Sequence, residues 1–85
     1  MMDLEGRRVI LSGGASGIGR ATGQLIAERG GRVVALDVDR EAGADLERAA
    51  SAAGHDLAFV GTDVSDADEV APGVERALAL LGGVD

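Results

Sequence analysis

A glycine-rich segment near the start of the chain has the composition of a phosphate-binding loop. It reads LSGGASGIGR over residues 11–20 and lies where an apolar run passes into a helical pattern. The first backbone N–H groups of a helix have no partner within it, and the helix dipole favours negative charge there. Glycines let the backbone approach a phosphate without an intervening Cβ. The segment therefore predicts an anion site built from backbone and not from basic side chains.

Of three known phosphate-binding glycine patterns, only one fits this segment. The P-loop pattern G-x-x-x-x-G-K-[ST] matches Gly14 and Gly19, but Arg20 replaces its lysine and Ala21 its hydroxyl residue. The dinucleotide fingerprint G-x-G-x-x-G fails because Thr22 occupies the position of its third glycine. The pattern that fits is G-x-x-x-G-x-G, formed by Gly13, Gly17 and Gly19.

A carboxylate follows the second apolar run. Asp37 comes 18 residues after Gly19, close to the roughly 20-residue spacing of the carboxylate that binds the adenosine ribose of a dinucleotide. A carboxylate at this position accepts hydrogen bonds from both ribose hydroxyls and repels a 2′-phosphate. The sequence therefore predicts NAD as the cofactor. Arg40, three residues further on, keeps NADP open as the less favoured alternative.

Asp63 and Val64 follow the third apolar run. Taken alone, Asp63 could belong to the start of the next helix, for which Ser65 is the predicted N-cap with Asp68 three residues on. In a parallel sheet, however, the carboxyl ends of neighbouring strands form one ligand-binding edge. We therefore expect the glycine loop, Asp37 and Asp63 to lie on the same edge.

Three apolar runs and three helical patterns must position these residues. The runs, at residues 9–11, 33–36 and 57–60, are continuous, as in strands that are covered on both faces. A helical stripe follows each run and ends at glycine, at residues 30–31, 54 and 82–83. The alternation predicts an α/β fold, the N-terminal part of a doubly wound parallel sheet of the Rossmann type. Its elements follow the order β-α-β-α-β-α, and its strands are arranged 3-2-1 in the sheet. The fourth strand is missing, except for a start near Val84.

Two further residues lead to structural expectations. Pro72 lies inside the third helical pattern, where proline removes a hydrogen bond at a cost of about 3 kcal/mol. We therefore expect either a kink or a helix that begins near Pro72. His55 is the only histidine and follows Gly54, so it is interpreted as a solvated turn residue, and no metal site is predicted.

Composition restricts the partners and the location. The chain has 85 residues, a net charge of −7 and no cysteine, and we expect one small domain at most. The negative charge argues against binding to nucleic acid or to an anionic membrane. The N-terminus has no apolar stretch behind a basic start, and no run approaches the roughly 20 residues needed to cross a bilayer. A cytoplasmic location is predicted.

The segment SGGASGIG, residues 12–19, and the pairs Leu36-Asp37 and Asp63-Val64 together match a known family. With them the chain resembles the N-terminal portion of the classical short-chain dehydrogenases/reductases, whose loop reads T-G-x-x-x-G-I-G, and Ser12 replaces the threonine. The resemblance implies that Ser16 and the backbone around Ile18 hold the pyrophosphate. It also implies that Asp37 binds the ribose, while Asp63 and the backbone of Val64 bind the adenine edge.

The same resemblance implies hydride transfer between a nicotinamide cofactor and an alcohol or ketone substrate, and a homo-oligomer for a full-length protein. The family's later motifs, N-N-A-G and the catalytic Y-x-x-x-K, are not present, and the chain contains no tyrosine and no lysine. We therefore expect residues 1–85 to be an incomplete NAD-binding segment without catalytic residues, inactive when isolated. Two alternatives stay open: a stand-alone nucleotide-binding or partner-binding module, and a nonfunctional truncated remnant.

Overall fold

The computed structural model describes residues 4–85, in which strands and helices alternate. The elements are β1 (Arg8–Ser12), α1 (Gly17–Glu28), β2 (Arg32–Asp37), α2 (Arg40–Ala53), β3 (Leu57–Gly61) and α3 (Ala67–Leu81). This order confirms the predicted β-α-β-α-β-α arrangement. Residues 1–3, which belong to the N-terminus in which we predict no signal segment, lie outside the described residues.

The three strands form one parallel sheet with β2 in the centre. Its order is β1-β2-β3, which confirms the predicted arrangement 3-2-1. Ser12 pairs with Leu36, and Asp37 pairs with Gly61, so the three strands end at the same edge. Within residues 4–85, the predicted start of a fourth strand at Val84 is not formed.

Helices cover both faces of the sheet. One core joins α1 and α2 to the sheet through Ala27, Val33, Ala35, Leu46, Ala50 and Leu57. The other joins α3 to the sheet through Val34, Leu36, Val60, Ala77 and Leu81. Successive side chains of a strand point to opposite faces, so β2 sends alternate residues into the two cores. This double burial explains why its apolar run is continuous.

Glycines in the left-handed conformation end two of the helices, as the sequence predicts. Gly54 ends α2 with φ of 76°, and Gly82 ends α3 with φ of 78°. The N–H of Gly82 donates to the carbonyl of Leu78 at 2.7 Å, which satisfies a carbonyl of the last turn. None of the helices in the described part of the chain is both long and apolar enough to cross a membrane.

The start of α3 differs from the prediction. The helix begins at Ala67 and runs through Pro72, so a start near Pro72 is wrong. The N-cap is Asp66, whose carboxylate accepts a hydrogen bond from the N–H of Asp68 at 2.9 Å. This cap and the acidic first turn stabilise the segment before the proline.

Two arginines hold the C-terminal end of α3 against the sheet. The Nη1 atom of Arg32 donates to the carbonyl of Leu81, and that of Arg8 to the carbonyl of Gly82, both at 3.1 Å. Cationic side chains at this end complement the helix dipole. Arg8 also pairs with the carboxylate of Asp85 at 3.1 Å, and the Asp85 N–H donates to the Arg8 carbonyl at 3.0 Å. The chain therefore reaches the free edge of β1 at Asp85.

Candidate functional site

The first half of the glycine loop is fixed to the end of β2. The N–H of Gly13 donates to the carbonyl of Leu36 at 2.8 Å. The N–H of Ala15 donates to Oδ2 of Asp37 at 3.1 Å, and Ala15 is 1% exposed. Backbone and carboxylate therefore hold the loop beside the second strand, and the role of Ala15 has no signal in the sequence.

The second half of the loop offers unpaired backbone donors. Ser16 is the N-cap of α1, with an extended backbone and no side-chain hydrogen bond to the helix. The N–H of Arg20 donates to the Ser16 carbonyl at 3.2 Å. No acceptor within residues 4–85 receives a hydrogen bond from the N–H groups of Gly17, Ile18 or Gly19. Such a helix start binds an anion through its N–H groups and its dipole.

The glycines of the loop have two different functions. A Cβ on Gly19 would lie 2.8 Å from the carbonyl carbon of Gly13, so its absence lets α1 pack onto the loop. Gly17 has φ of 58°, and a Cβ there would meet no atom of the chain within 4 Å. Gly13 is similarly open, with φ of 67°. The space above Gly17 is therefore empty of protein and accessible to a ligand.

The carboxylate of Asp37 is oriented by the backbone on both sides. Its Oδ2 accepts from Ala15 N–H, and its Oδ1 accepts from Asp39 N–H at 3.2 Å. A carboxylate can accept about four hydrogen bonds, so each oxygen retains capacity for one more. Asp37 is half-buried at the end of β2, beside the loop, and can receive two hydroxyl donors such as those of a ribose.

The carboxylate of Asp63 is held by Ser65. Oδ1 of Asp63 accepts from the Ser65 hydroxyl at 2.6 Å and from the Ser65 N–H at 3.0 Å. The side-chain hydrogen bond, followed by the backbone one, holds the pKa of Asp63 below its usual range. No hydrogen bond within the described residues engages Oδ2. Ser65 is therefore not the N-cap of α3, and that prediction is wrong because its hydroxyl binds backward to Asp63. The D-x-S spacing is typical of an Asx turn and could have indicated this contact.

The structure brings the predicted residues to one edge of the sheet. The N–H of Thr62 donates to the carbonyl of Asp37 at 2.8 Å, so the segment that leads to Asp63 begins beside Asp37. Large apolar side chains are exposed at this edge. One of them, Val38, is not among the site residues that the sequence predicts. The exposed fractions are 87% for Ile18, 66% for Val38 and 53% for Val64. Backbone donors, two carboxylates and apolar surface thus meet where the strands end.

A parallel sheet with a glycine loop after β1 and a carboxylate at the end of β2 defines the Rossmann type of fold. A family profile described as short chain dehydrogenase matches residues 7–85. The chain belongs to the short-chain dehydrogenase family, as the loop pattern and the two strand-end aspartates indicated.

Several relatives match nearly the whole chain. An uncharacterized oxidoreductase of Thermotoga maritima is 43% identical over 82 residues, which are 96% of this chain and 32% of the relative. A cis-4-hydroxycyclohexanecarboxylate dehydrogenase of Sinomonas cyclohexanicum is 48% identical over 79 residues, 93% of this chain and 31% of the relative. The crystal structure of a short chain dehydrogenase/reductase from Burkholderia phymatum in complex with NAD superposes with a TM-score of 0.90 at 34% identity. The matched residues are 99% of this chain and 30% of the Burkholderia phymatum chain. The chain therefore spans about a third of the length of these relatives.

Proposed function

We propose that residues 1–85 form the NAD-binding part of a short-chain dehydrogenase whose complete chain transfers hydride between the cofactor and an alcohol or ketone. The observation that carries the proposal is the start of α1. There, three backbone N–H groups lack an acceptor in the described part of the chain, and the space above Gly17 is open. These are the two features that a pyrophosphate requires, donors and room for close approach.

The residues around this point fit the remaining parts of the dinucleotide. Ser16 and the N–H groups of Gly17 to Gly19 would hold the pyrophosphate, with Gly13 leaving room beside them. Asp37 would accept hydrogen bonds from the adenosine ribose. The free Oδ2 of Asp63 and the backbone of Val64 would bind the polar edge of adenine. Bound NAD supplies the hydride acceptor, and the chain's own contribution is to bind and orient it.

The preference for NAD over NADP rests on Asp37. Both of its oxygens are already held by backbone N–H groups, so the carboxylate cannot easily turn away from the ribose. Like charges that meet in a binding site cost several kcal/mol. A 2′-phosphate on this ribose would be repelled by Asp37 at that cost, which supports NAD as the cofactor.

The acid–base step must use residues outside this chain segment. The 85 residues include no tyrosine and no lysine, the pair that the family uses for proton transfer. We therefore assign these residues to cofactor binding alone, and we propose an alcohol or ketone as the substrate of the complete chain.

The test is titration calorimetry of the complete natural chain that contains residues 1–85, with NAD⁺ and NADP⁺. We expect NAD⁺ to bind at least about tenfold more tightly, since a free-energy difference of about 1.4 kcal/mol suffices for this. Formation of NADH with a panel of secondary alcohols would then be followed by absorbance. A folded protein that binds neither nucleotide would refute the proposal.

The free edge of β1 favours a second candidate, a nucleotide-binding module that another chain completes. Within residues 4–85, β2 is the only strand that pairs with β1, and the other edge of β1 carries the contact of Arg8 with Asp85; an edge without a partner strand is a template for association. Tight NAD binding by a folded polypeptide of residues 1–85 would support this candidate. A circular dichroism spectrum of an unfolded chain would exclude it.

A further inference from the structure

The guanidinium of Arg40 lies against Gly61 at the end of the sheet. A Cβ built on Gly61 would lie 2.7 Å from Cζ of Arg40 and 3.3 Å from its Cγ. Arg40 can therefore occupy this position only because residue 61 has no side chain. The two residues line an open groove of about 410 Å³ together with Phe59, Val60 and Arg76.

This contact lies one strand away from the proposed ribose site. Gly61 is the register partner of Asp37, and paired strands are about 4.8 Å apart. Arg40 is the first residue of α2 and comes three residues after Asp37. The same side chain thus starts close to Asp37 and is directed to the neighbouring strand.

No ion pair holds Arg40 in place. Among residues 4–85, no carboxylate pairs with Arg40, and the two oxygens of Asp37 accept from the N–H groups of Ala15 and Asp39. Arg40 is exposed, and its contact with Gly61, with Cγ 3.3 Å from the built Cβ, is the one that places its side chain here. A side chain at residue 61 would remove that position and shift the population of Arg40 toward other rotamers.

The direction of Arg40 matters for the choice between two cofactors. NADP differs from NAD by a 2′-phosphate on the adenosine ribose, next to the carboxylate of Asp37 in the proposed complex. A guanidinium binds phosphate through charge-assisted hydrogen bonds and would offset the repulsion by Asp37. With its guanidinium against Gly61, Arg40 does not offset the repulsion between Asp37 and a 2′-phosphate.

We propose that Gly61 is a specificity-determining residue that keeps Arg40 away from the ribose and thereby disfavours NADP. The proposal rests on the proposed cofactor function. It predicts that Gly61→Ala lowers the ratio of the NADP⁺ to the NAD⁺ dissociation constant by about two- to fivefold, through NADP⁺ alone. This is the size expected for one partly exposed charge pair.

The test is titration calorimetry of the complete natural chain with both nucleotides, for wild type, Gly61→Ala, Arg40→Gln and the double variant. Arg40→Gln alone should change the ratio less than about twofold, because Arg40 does not face the ribose. In the Arg40→Gln background, Gly61→Ala should have no effect. Circular dichroism checks that each variant is folded.

Three outcomes would overturn the proposal. The first is a folded Gly61→Ala variant with an unchanged ratio, and the second is an effect of Gly61→Ala that persists without Arg40. The third needs no change at Gly61: if Arg40→Gln alone weakens NADP⁺ binding more than about threefold, Arg40 already faces the ribose. A folded wild type that binds neither nucleotide would instead refute the proposed function, and this inference with it.

Discussion

The variant Gly17→Ala should separate an effect on ligand binding from an effect on the free energy of unfolding. Gly17 has φ of 58°, and a Cβ there meets nothing within 4 Å. Gly54, which ends α2 at the opposite end of that helix from the proposed site, has φ of 76° and equally empty surroundings. Gly54→Ala is therefore a matched control for Gly17→Ala, since both introduce a left-handed alanine without a clash.

The expected magnitudes follow from this geometry. A left-handed alanine costs about 1–2 kcal/mol, so both variants should lose a similar free energy of unfolding. Only at Gly17 does the new methyl group occupy the space proposed for the pyrophosphate. Overpacking by one carbon costs about 1–3 kcal/mol, which corresponds to about fivefold to 150-fold weaker binding of NAD⁺. Gly54→Ala should bind NAD⁺ as wild type does.

The assay combines urea denaturation, which measures the free energy of unfolding, with titration calorimetry of NAD⁺. If Gly17→Ala binds NAD⁺ with wild-type affinity, the space above Gly17 does not hold the cofactor. If both variants lose affinity to the same degree, the loss is due to destabilisation, and the argument from empty space is wrong.

Three other residues lead to further predictions. Asp37→Ser should weaken NAD⁺ binding about tenfold or more, because hydrogen bonds to a charged group contribute about 1.5–3 kcal/mol; calorimetry should show a smaller effect on NADP⁺, and equal losses would contradict the ribose assignment. Ser65→Ala should raise the pKa of Asp63 toward 3.8 by removing the hydroxyl donor, and an NMR titration in which the pKa stays low would exclude this cause. Hydrogen bonds from Arg8 lower the pKa of Asp85 to about 2. The stabilisation by Asp85 is therefore complete above its ordinary pKa of 3.8 and is lost as the pH falls through about 2. The difference in unfolding free energy between wild type and Asp85→Asn should shrink over that range, and a constant difference would show that the pair does not stabilise the fold.

Local signals in the sequence were sufficient to predict most of the fold. The ends of α2 and α3 follow from Gly54 and Gly82, because a residue with positive φ is required there and glycine adopts it without cost. The burial of β2 on both faces of the sheet follows from its continuous apolar run, the pattern of a strand that is covered on both sides. These features depend on the residue itself or on its near neighbours, so a pattern along the chain records them.

Contacts between distant residues could not be predicted in this way. The sequence gives no sign that Ala15 N–H binds Asp37, or that Arg40 packs on Gly61, since each contact depends on which strands become neighbours. The error at Ser65 has a different cause. Its hydroxyl had two acceptable partners, the helix start and the carboxylate of Asp63, and both are local patterns that compete for the same residue.

The start of α1 shows how binding and stability oppose each other in this fold. Ser16 makes no side-chain cap bond to the helix, although such a bond contributes about 1 kcal/mol. A capping bond would occupy a donor that the proposed pyrophosphate needs. A ligand that binds only the folded state returns that stability, about 2.7 kcal/mol at a concentration of 100 times its dissociation constant. The uncapped helix start therefore supports the proposal that these donors bind the cofactor.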